Sequence, residues 1–286
     1  MKKQNRRTLL VLLAIFTCIT LLVMQGAAFI WLENAGARFV STVGSENTLI
    51  RLQHAHKLRG SVLFIGSSIT ERLLPQKDIC SIAMSGSNFT SSLRILDDPE
   101  QFKPGTVYII ETNNILRGCN DKILKRVGKW DFSLFRDNPN FSLAAKPSNL
   151  IVSYVFYALT HKGNSNAGVF QTEPAVPVDL SSYPAPTPEE LDRWKELIAG
   201  VEELRRRNGR ICFVYLPTIQ IERYRHSYEP ACKLAKYLDL PVLHYNTPAW
   251  INRLEYTDCE HVNSRAESTV KFMNTVARDA RIHARP

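Results

Sequence analysis

This chain of 286 residues contains serine, aspartate and histidine in positions where the three together could activate a serine hydroxyl. Ser67 and Ser68 follow directly after an apolar run. Asp258 and His261 lie three positions apart near the C-terminus. A histidine can take the proton of a serine hydroxyl, and an aspartate can orient that histidine. The alternative is structural, because serine is also a common helix cap.

A tetrahedral intermediate formed at a serine also requires donors that stabilise its oxyanion. Asn113 follows an apolar run and could supply a side-chain N–H group to such a site. An asparagine just past a strand is also a common turn former. Gly86, in the polar loop from Ser85 to Asn88, has the ordinary interpretation of a turn glycine with positive φ.

Short apolar runs predict the strands that must position these residues. Each run contains β-branched or aromatic side chains and is bounded by glycine, proline or polar residues, which is typical of buried parallel strands. The predicted strands are Ser61–Ile65, Cys80–Met84, Thr106–Glu111, Arg210–Leu216 and Leu240–His244. Helices are predicted over Ile69–Leu74, near Ser91–Leu96, from Thr187 to a stop at Gly209, near Glu229–Leu238, and at the C-terminus.

Strands that alternate with helices predict a parallel, doubly wound α/β sheet. The two serines, Gly86 and Asn113 then follow the carboxyl ends of strands, where open α/β sheets bind ligands. A serine at the start of a helix would also face free backbone N–H groups and the positive end of the helix dipole. The predicted topology therefore collects these residues at one edge of the sheet.

The order of these motifs resembles that of the SGNH (GDSL-like) hydrolase family. Gly66–Thr70 is similar to the first block of the family, Gly86 to the second, Glu111–Asn114 to the third and Asp258–His261 to the last. The resemblance covers about residues 60 to 282, apart from much of a central insertion. It implies a flavodoxin-like three-layer α/β sandwich with a mostly parallel five-stranded sheet, the SGNH hydrolase fold.

The resemblance also implies a role for each matched position. Ser68 would be the nucleophile, His261 the general base and Asp258 the residue that orients His261. The oxyanion hole would consist of the backbone N–H groups of Ser68 and Gly86 together with the Asn113 side chain. No metal ion or organic cofactor is implied.

Three positions depart from the usual pattern of the family. Ser67 stands where the family usually has aspartate, and the third block has Glu111 and Asn114 where the family has glycine and aspartate. These departures affect the expected substrate class more than the triad. The Gly-Ser-Ser first block behind an N-terminal anchor is similar to exported members that work beside membrane-bound O-acyltransferases, such as the D-alanyl transfer protein of teichoic acid and polysaccharide O-acetylation proteins.

The N-terminal region is typical of a membrane anchor. Residues 8–32 form an uncharged run of 25 residues behind a basic tail, and about 20 suffice to span a bilayer. The basic tail predicts a single-pass protein of the inner (cytoplasmic) membrane with an extracytoplasmic, periplasmic domain. A cleaved signal peptide is the alternative, because Ala35–Ala37 is similar to a cleavage site, but its apolar region would normally be about 7–15 residues.

The predicted organisation is a cytoplasmic tail (1–7), an anchor (8–32), a membrane-proximal stalk (33–59) and a catalytic domain (60–286). Within that domain, residues 117–186 are predicted as an insertion, since so long a segment between sheet elements is often functional. The net charge is +9, of which the N-terminal tail supplies +4. The remaining charge is spread along the chain and forms no basic stripe that would favour nucleic acid.

Six cysteines are present, and Cys18 lies in the predicted anchor. The other five would lie outside the membrane, where disulfides are permitted. Because five is odd, at least one thiol stays free or pairs with another chain, and the pairing itself stays open.

Three functions stay open at this stage. The first is a serine esterase or O-acyltransferase acting on acyl esters, expected to be acetyl, of a cell-envelope polysaccharide through an acyl-Ser68 intermediate. Its partners would be an acylated glycan or acyl donor and a membrane-bound O-acyltransferase. The second is a lipase or general carboxylester hydrolase whose acyl pocket uses the aromatic residues of 130–141. The third is a non-catalytic SGNH-like scaffold for a membrane O-acyltransferase.

Overall fold

The structure is a computed structural model of the chain. The structure describes residues 2–35, 61–73, 78–84, 86, 88–93, 105–118, 149, 151–152, 155, 175–256, 261–263 and 266–286. Most of the predicted stalk, most of the predicted insertion and the candidate triad residue Asp258 lie outside the described residues.

The N-terminal helix α1 spans Lys2–Ala35 and extends beyond the predicted anchor at both ends. Its segment Thr8–Ala27 is long and apolar enough to cross a membrane, and its side chains there contact no core. Two polar side chains in this segment bond within the helix. Thr17 Oγ1 donates to the Leu13 carbonyl at 2.8 Å and Thr20 Oγ1 to the Phe16 carbonyl at 2.9 Å. Such internal bonds suit a helix in lipid, where water cannot satisfy polar groups.

Five parallel strands form the sheet of the described domain. They are β1 (Val62–Gly66), β2 (Ile79–Ala83), β3 (Val107–Glu111), β4 (Arg210–Tyr215) and β5 (Val242–His244). Their order is β2-β1-β3-β4-β5, and every neighbouring pair is parallel. This is the flavodoxin-like order, and it confirms the predicted parallel α/β sheet. Each strand lies within two residues of its predicted bounds.

Helices cover both faces of the sheet, which explains why the strands are apolar on both sides. They are α2 (Ser68–Glu71), α3 (Phe89–Leu93), α4 (Pro188–Arg206), α5 (Ile221–Tyr237), α6 (Pro248–Ile251) and α7 (Glu267–His283). On one face, Leu63 and Ile65 of β1 belong to the same buried cluster as residues of α4 and α5. On the other face, Val62 and Phe64 share a cluster with residues of α2 and α7.

The local signals predicted some helix ends correctly and missed others. Thr187 caps α4 through a complete capping box with Glu190, as the sequence predicted. The prediction for α5 was wrong at its start, because the helix begins at Ile221 and contains Pro230. Proline removes one helical hydrogen bond and usually marks a boundary. Tyr224, Ala231 and Leu234 of this helix are buried, so packing against the sheet stabilises it on both sides of the proline.

The last part of the predicted insertion covers the outer edge of the sheet. Pro177 forms an antiparallel bridge with Leu243, and the Val178 N–H donates to the Val242 carbonyl at 2.8 Å. Val178 and Leu180 also pack against the core cluster of α4 and α5. Residues 175–180 thus act as an edge cover for β5, which would otherwise expose unpaired backbone groups.

The described cysteines Cys18, Cys80, Cys212 and Cys232 are thiols. Cys80, Cys212 and Cys232 are buried, and burial raises the pKa of Cys212 and of Cys232. Buried thiols with raised pKa values are poor nucleophiles, so Cys212 and Cys232 have packing roles. Cys119 and Cys259 lie outside the described residues.

Gly66 is needed where β1 and β3 approach each other at their carboxyl ends. A Cβ atom at this position would lie 2.6 Å from Cβ and 2.7 Å from Oε2 of Glu111. We expect Gly66→Ala to lower the free energy of unfolding by about 1–3 kcal/mol, because the clash forces the two strand ends apart. Urea unfolding of the detergent-solubilised protein, followed by tryptophan fluorescence, measures the change.

Gly118→Ala is the matched control, since nothing lies within 4 Å of a Cβ atom there. It should change stability by less than about 0.5 kcal/mol. Equal unfolding free energies for the two variants would contradict the close approach at Gly66.

Candidate active site

The strand order reverses between β1 and β3, and the candidate site lies at this switch point. From β1 the chain first adds β2 on one side and then returns to add β3 on the other side of β1. Ser67 follows β1, and Asn113 and Asn114 follow β3. In open α/β sheets ligands bind outside the carboxyl ends of strands at such a reversal. The topology therefore supports the sequence prediction of a site at this edge.

Ser67 is buried, at 1% exposure, and its polar groups are all engaged. Its hydroxyl accepts hydrogen bonds from Nδ2 of Asn114 at 2.7 Å and from the Ile69 N–H at 3.3 Å. Its N–H donates to Oε2 of Glu111 at 2.6 Å, and its carbonyl accepts from the Glu71 N–H at 3.0 Å. The helix-cap interpretation therefore holds for Ser67, which caps α2.

Ser68 differs from its neighbour in both burial and bonding. It is the first residue of α2, it is half-buried, and its hydroxyl makes no hydrogen bond with the described residues. Its N–H likewise donates to no described backbone carbonyl. Of the two adjacent serines, Ser68 thus has the hydroxyl that an incoming group can reach.

The helix that begins at Ser68 is shorter than the predicted Ile69–Leu74. It spans Ser68–Glu71, a single turn, so it contributes little macrodipole. What it offers is a free N–H group of its first turn, which has no partner within the helix. Any stabilisation of an oxyanion here therefore comes from individual N–H groups.

Glu111 organises the turn between β1 and α2. The carboxyl group is only 3% exposed. Oε2 accepts from the Ser67 N–H and, at 3.4 Å, from the Thr70 hydroxyl. Oε1 accepts from the N–H of Asn114 at 3.2 Å and from its Nδ2 at 3.5 Å. Burial raises the pKa of Glu111, and hydrogen bonds from Ser67 and Asn114 oppose that rise.

Gly86 lies in the loop that follows β2. It is exposed and has a φ of 78°, a conformation that favours glycine. The end of β2 is tied to β1 beside it, because the Met84 N–H donates to the Gly66 carbonyl at 3.0 Å. The positive φ confirms the turn-glycine interpretation, and the role of the Gly86 N–H in an oxyanion hole stays a prediction.

Asn113 is bound to the neighbouring loop after β4. Its Nδ2 donates to the Leu216 carbonyl at 2.8 Å, and its Oδ1 accepts from the Leu216 N–H at 2.8 Å. The side chain is fully buried, at 0% exposure. The structure therefore gives Asn113 a loop-joining role, and no hydrogen bond links it to the described residues of the Ser68 turn. Its part in an oxyanion hole stays a prediction.

His261 lies in the loop between α6 and α7 and is half-buried. An antiparallel bridge joins Tyr256 and Val262, and Asp258 lies outside the described residues. Val262 and Ile69, the neighbours of His261 and Ser68 in sequence, belong to the same buried apolar cluster. The two candidate segments are thus anchored on the same face of the sheet, and the triad itself stays a prediction.

Asn114 and Tyr224 complete the site but were not assigned to it from the sequence. Asn114 bonds to Ser67 and Glu111, and its side chain also hydrogen bonds to Tyr224 at the start of α5. Burial raises the pKa of Tyr224 above its ordinary value. One sequence signal could have indicated them: the acidic residue Glu111 ends an apolar strand, and a buried carboxyl group requires polar partners nearby.

No family model, no curated protein and no solved structure matches this chain. The class of this protein is defined by its fold alone: an α/β domain with five parallel strands, preceded by one apolar helix.

The two hydrogen bonds between Asn113 and Leu216 predict that Asn113 stabilises the folded protein. Asn113→Ala would leave the buried N–H and carbonyl of Leu216 without their partners, at a cost of about 1–3 kcal/mol each. We expect a loss of about 2–5 kcal/mol in the free energy of unfolding. Urea unfolding measures it, with Asn252→Ala on the exposed C-cap of α6 as control. A variant as stable as wild type would contradict this role.

Glu111 predicts a pH dependence of stability. Its pKa in the folded protein lies above the ordinary value of 4.5, so the folded state holds the proton more tightly than the unfolded chain does. This contribution is complete below pH 4.5 and is lost as the pH rises through the raised pKa. Relative to Glu111→Gln, which cannot ionise, wild type should lose stability over that range.

Urea unfolding of both proteins from about pH 4 to about pH 8 tests this expectation, because the difference between them isolates position 111 from the other titrating groups. A difference that does not change with pH, or that grows in favour of wild type as the pH rises, would contradict it.

Proposed function

We propose that this protein is a membrane-anchored serine esterase or O-acyltransferase of the SGNH-like type, acting on acyl esters of a cell-envelope polysaccharide. Ser68 is the nucleophile, His261 the general base and Asp258 the residue that orients the base. The domain lies on the extracytoplasmic side of the inner membrane, and α1 is its anchor.

The contrast between Ser67 and Ser68 carries this proposal. At the switch point of the sheet, one serine is buried with every polar group engaged, and the next is half-buried with its hydroxyl free of the described residues. A nucleophile has to be reachable, and its supporting residues have to be rigid. This arrangement supports Ser68, rather than Ser67, as the residue of the first motif that reacts.

The reaction proceeds in two steps. His261 takes the proton of the Ser68 hydroxyl while Oγ attacks the acyl carbonyl carbon, and the N–H groups of Ser68 and Gly86 stabilise the oxyanion. The carbon–oxygen bond to the leaving alcohol then breaks, His261 returns the proton to that alcohol, and acyl-Ser68 remains. In the second step a sugar hydroxyl or water attacks the acyl carbon while His261 takes its proton. The bond from the acyl carbon to Ser68 Oγ then breaks, and His261 returns the proton to Oγ, which restores the free Ser68 hydroxyl.

The anchor favours a reaction next to the membrane. Thr8–Ala27 is one helix that can span a bilayer, and the basic residues before it favour a cytoplasmic N-terminus. A membrane-bound O-acyltransferase that delivers the acyl group is the partner this arrangement suits. Transfer to a glycan hydroxyl is then the expected second step.

Covalent labelling tests the proposed nucleophile. We expect a fluorophosphonate probe to label the detergent-solubilised full chain at Ser68, and labelling to be lost in Ser68→Ala and to fall at least about 100-fold in His261→Ala. Mass spectrometry of the labelled peptide identifies the residue. Ser91→Ala, which removes a buried serine of α3, is the control and should keep its labelling.

A folded wild-type protein that stays unlabelled would overturn the enzymatic proposal and favour a non-catalytic scaffold. A lipase or general esterase is the second candidate, because Leu116 and Ile219, in the loops after β3 and β4, are 40% and 49% exposed. Acetyl and long-chain esters offered to the active enzyme, before any labelling, separate the two, since only a lipase would prefer the long chain.

A further inference from the structure

The residue in front of Ser68 is held at every polar group. Its N–H is bound by Glu111, its hydroxyl by Asn114 and the Ile69 N–H, and its carbonyl by the Glu71 N–H. The Ser67 side chain also hydrogen bonds to the Glu111 carboxyl group. Ser67 therefore cannot rotate without breaking several buried hydrogen bonds at once, each of which is costly to leave unmade.

The orientation of the next peptide unit follows from this arrangement. In a trans peptide the C=O and N–H groups point in opposite directions. The Ser67 carbonyl points into α2, where it accepts from the Glu71 N–H at 3.0 Å. The Ser68 N–H therefore points away from the helix, toward the carboxyl edge of the sheet where the substrate would lie. The same constraint sets the direction in which the Ser68 side chain leaves the backbone.

Of the described groups that bond to Ser67, Glu111 alone lies on another strand. It binds Ser67 through its carboxyl group. It lies 44 positions away in sequence and reaches Ser67 at 2.6 Å across the gap that Gly66 leaves open. Its partners Ser67, Thr70 and Asn114 are all uncharged. Among the residues that the structure describes, this carboxyl group has several neutral donors and no cationic partner, so its bonds serve to orient the groups that it binds.

We infer that Glu111 is a positioning residue for the reaction at Ser68: through its hydrogen bonds to Ser67, its carboxyl group aims the Ser68 N–H and hydroxyl at the substrate. This inference rests on the proposed function, because it assigns Glu111 a part in that reaction. Glu111 itself touches no reacting atom. Its loss should therefore lower the rate of bond formation at Ser68 more than the affinity for the reagent.

The test measures inactivation of the full-length protein by a fluorophosphonate, with the maximal rate kinact and the half-saturating concentration KI determined separately. In Glu111→Gln we expect kinact to fall on the order of 10- to 100-fold, the size that a misplacement of about 1 Å can cause. KI should stay within about twofold, because the reagent still reaches the same serine. Glu111→Asp, which keeps the carboxyl group, should recover part of kinact.

Asp279→Asn is the matched control for removal of a buried carboxylate. Asp279 is 0% exposed, lies on α7 and accepts from the Tyr245 hydroxyl at 2.7 Å and the Ala175 N–H at 3.0 Å. This variant should unfold at lower urea concentration but keep kinact within about twofold. Asn114→Ala is a second test variant, which keeps the bond from Ser67 to Glu111 and should lower kinact by less than Glu111→Gln does.

Hydrogen exchange of the peptide that covers residues 62–73 gives a readout without chemistry. Glu111→Gln should exchange faster there than wild type and Asp279→Asn, because the Ser67 and Ile69 amides lose their fixed geometry. If wild type is labelled at Ser68 and Glu111→Gln keeps both kinact and exchange protection, the inference is overturned and the proposed function stands. If wild type is not labelled at all, the proposed function is overturned and the inference with it.

Discussion

A buried hydrogen bond from the Ser67 N–H to the Glu111 carboxyl group joins the ends of the adjacent strands β1 and β3 at the edge where the candidate site lies. Burying a carboxyl group is costly unless its oxygens find donors. Here the cost is offset by Ser67, Thr70 and Asn114, all within the same switch-point crevice. The turn that carries Ser68 is therefore specified by a buried carboxyl group whose environment leaves it few alternative arrangements.

This bond also explains features that look independent along the chain. Gly66 has to lack a side chain because the Glu111 carboxyl group occupies the space beside it. Asn114 has to be an amide because it donates to Ser67 and to Glu111 at once. A buried polar network of this kind is stable only when every member is satisfied. Ser67, Glu111 and Asn114 are thus members of one network.

The function proposed for the site depends on a second, longer connection. Ser68 follows the first strand, whereas His261 lies beyond the last, and the sheet has to bring the two segments to one face. Ile69 and Val262 belong to one buried apolar cluster. Burial of these two side chains anchors the segments of Ser68 and His261, which gives that arrangement a physical basis. The binding of Asn113 to Leu216 adds a link between the β3 and β4 loops that border the crevice.

The sequence by itself determined the strands, the long helix α4 and the apolar N-terminal helix, because each depends on the spacing of neighbouring residues. Apolar runs bounded by glycine or proline mark the strands, and Thr187 with Glu190 marks the start of α4. The predicted start of α5 near Glu229 was wrong, because the helix begins at Ile221 and its packing against the sheet outweighs the hydrogen bond that Pro230 removes. Only the tertiary structure decided which serine is engaged, what Glu111 binds and where Asn113 points. The bonds of Ser67 to Glu111 and Asn114 and of Asn113 to Leu216 join residues 44, 47 and 103 positions apart, and strand order, which no local pattern encodes, sets their partners.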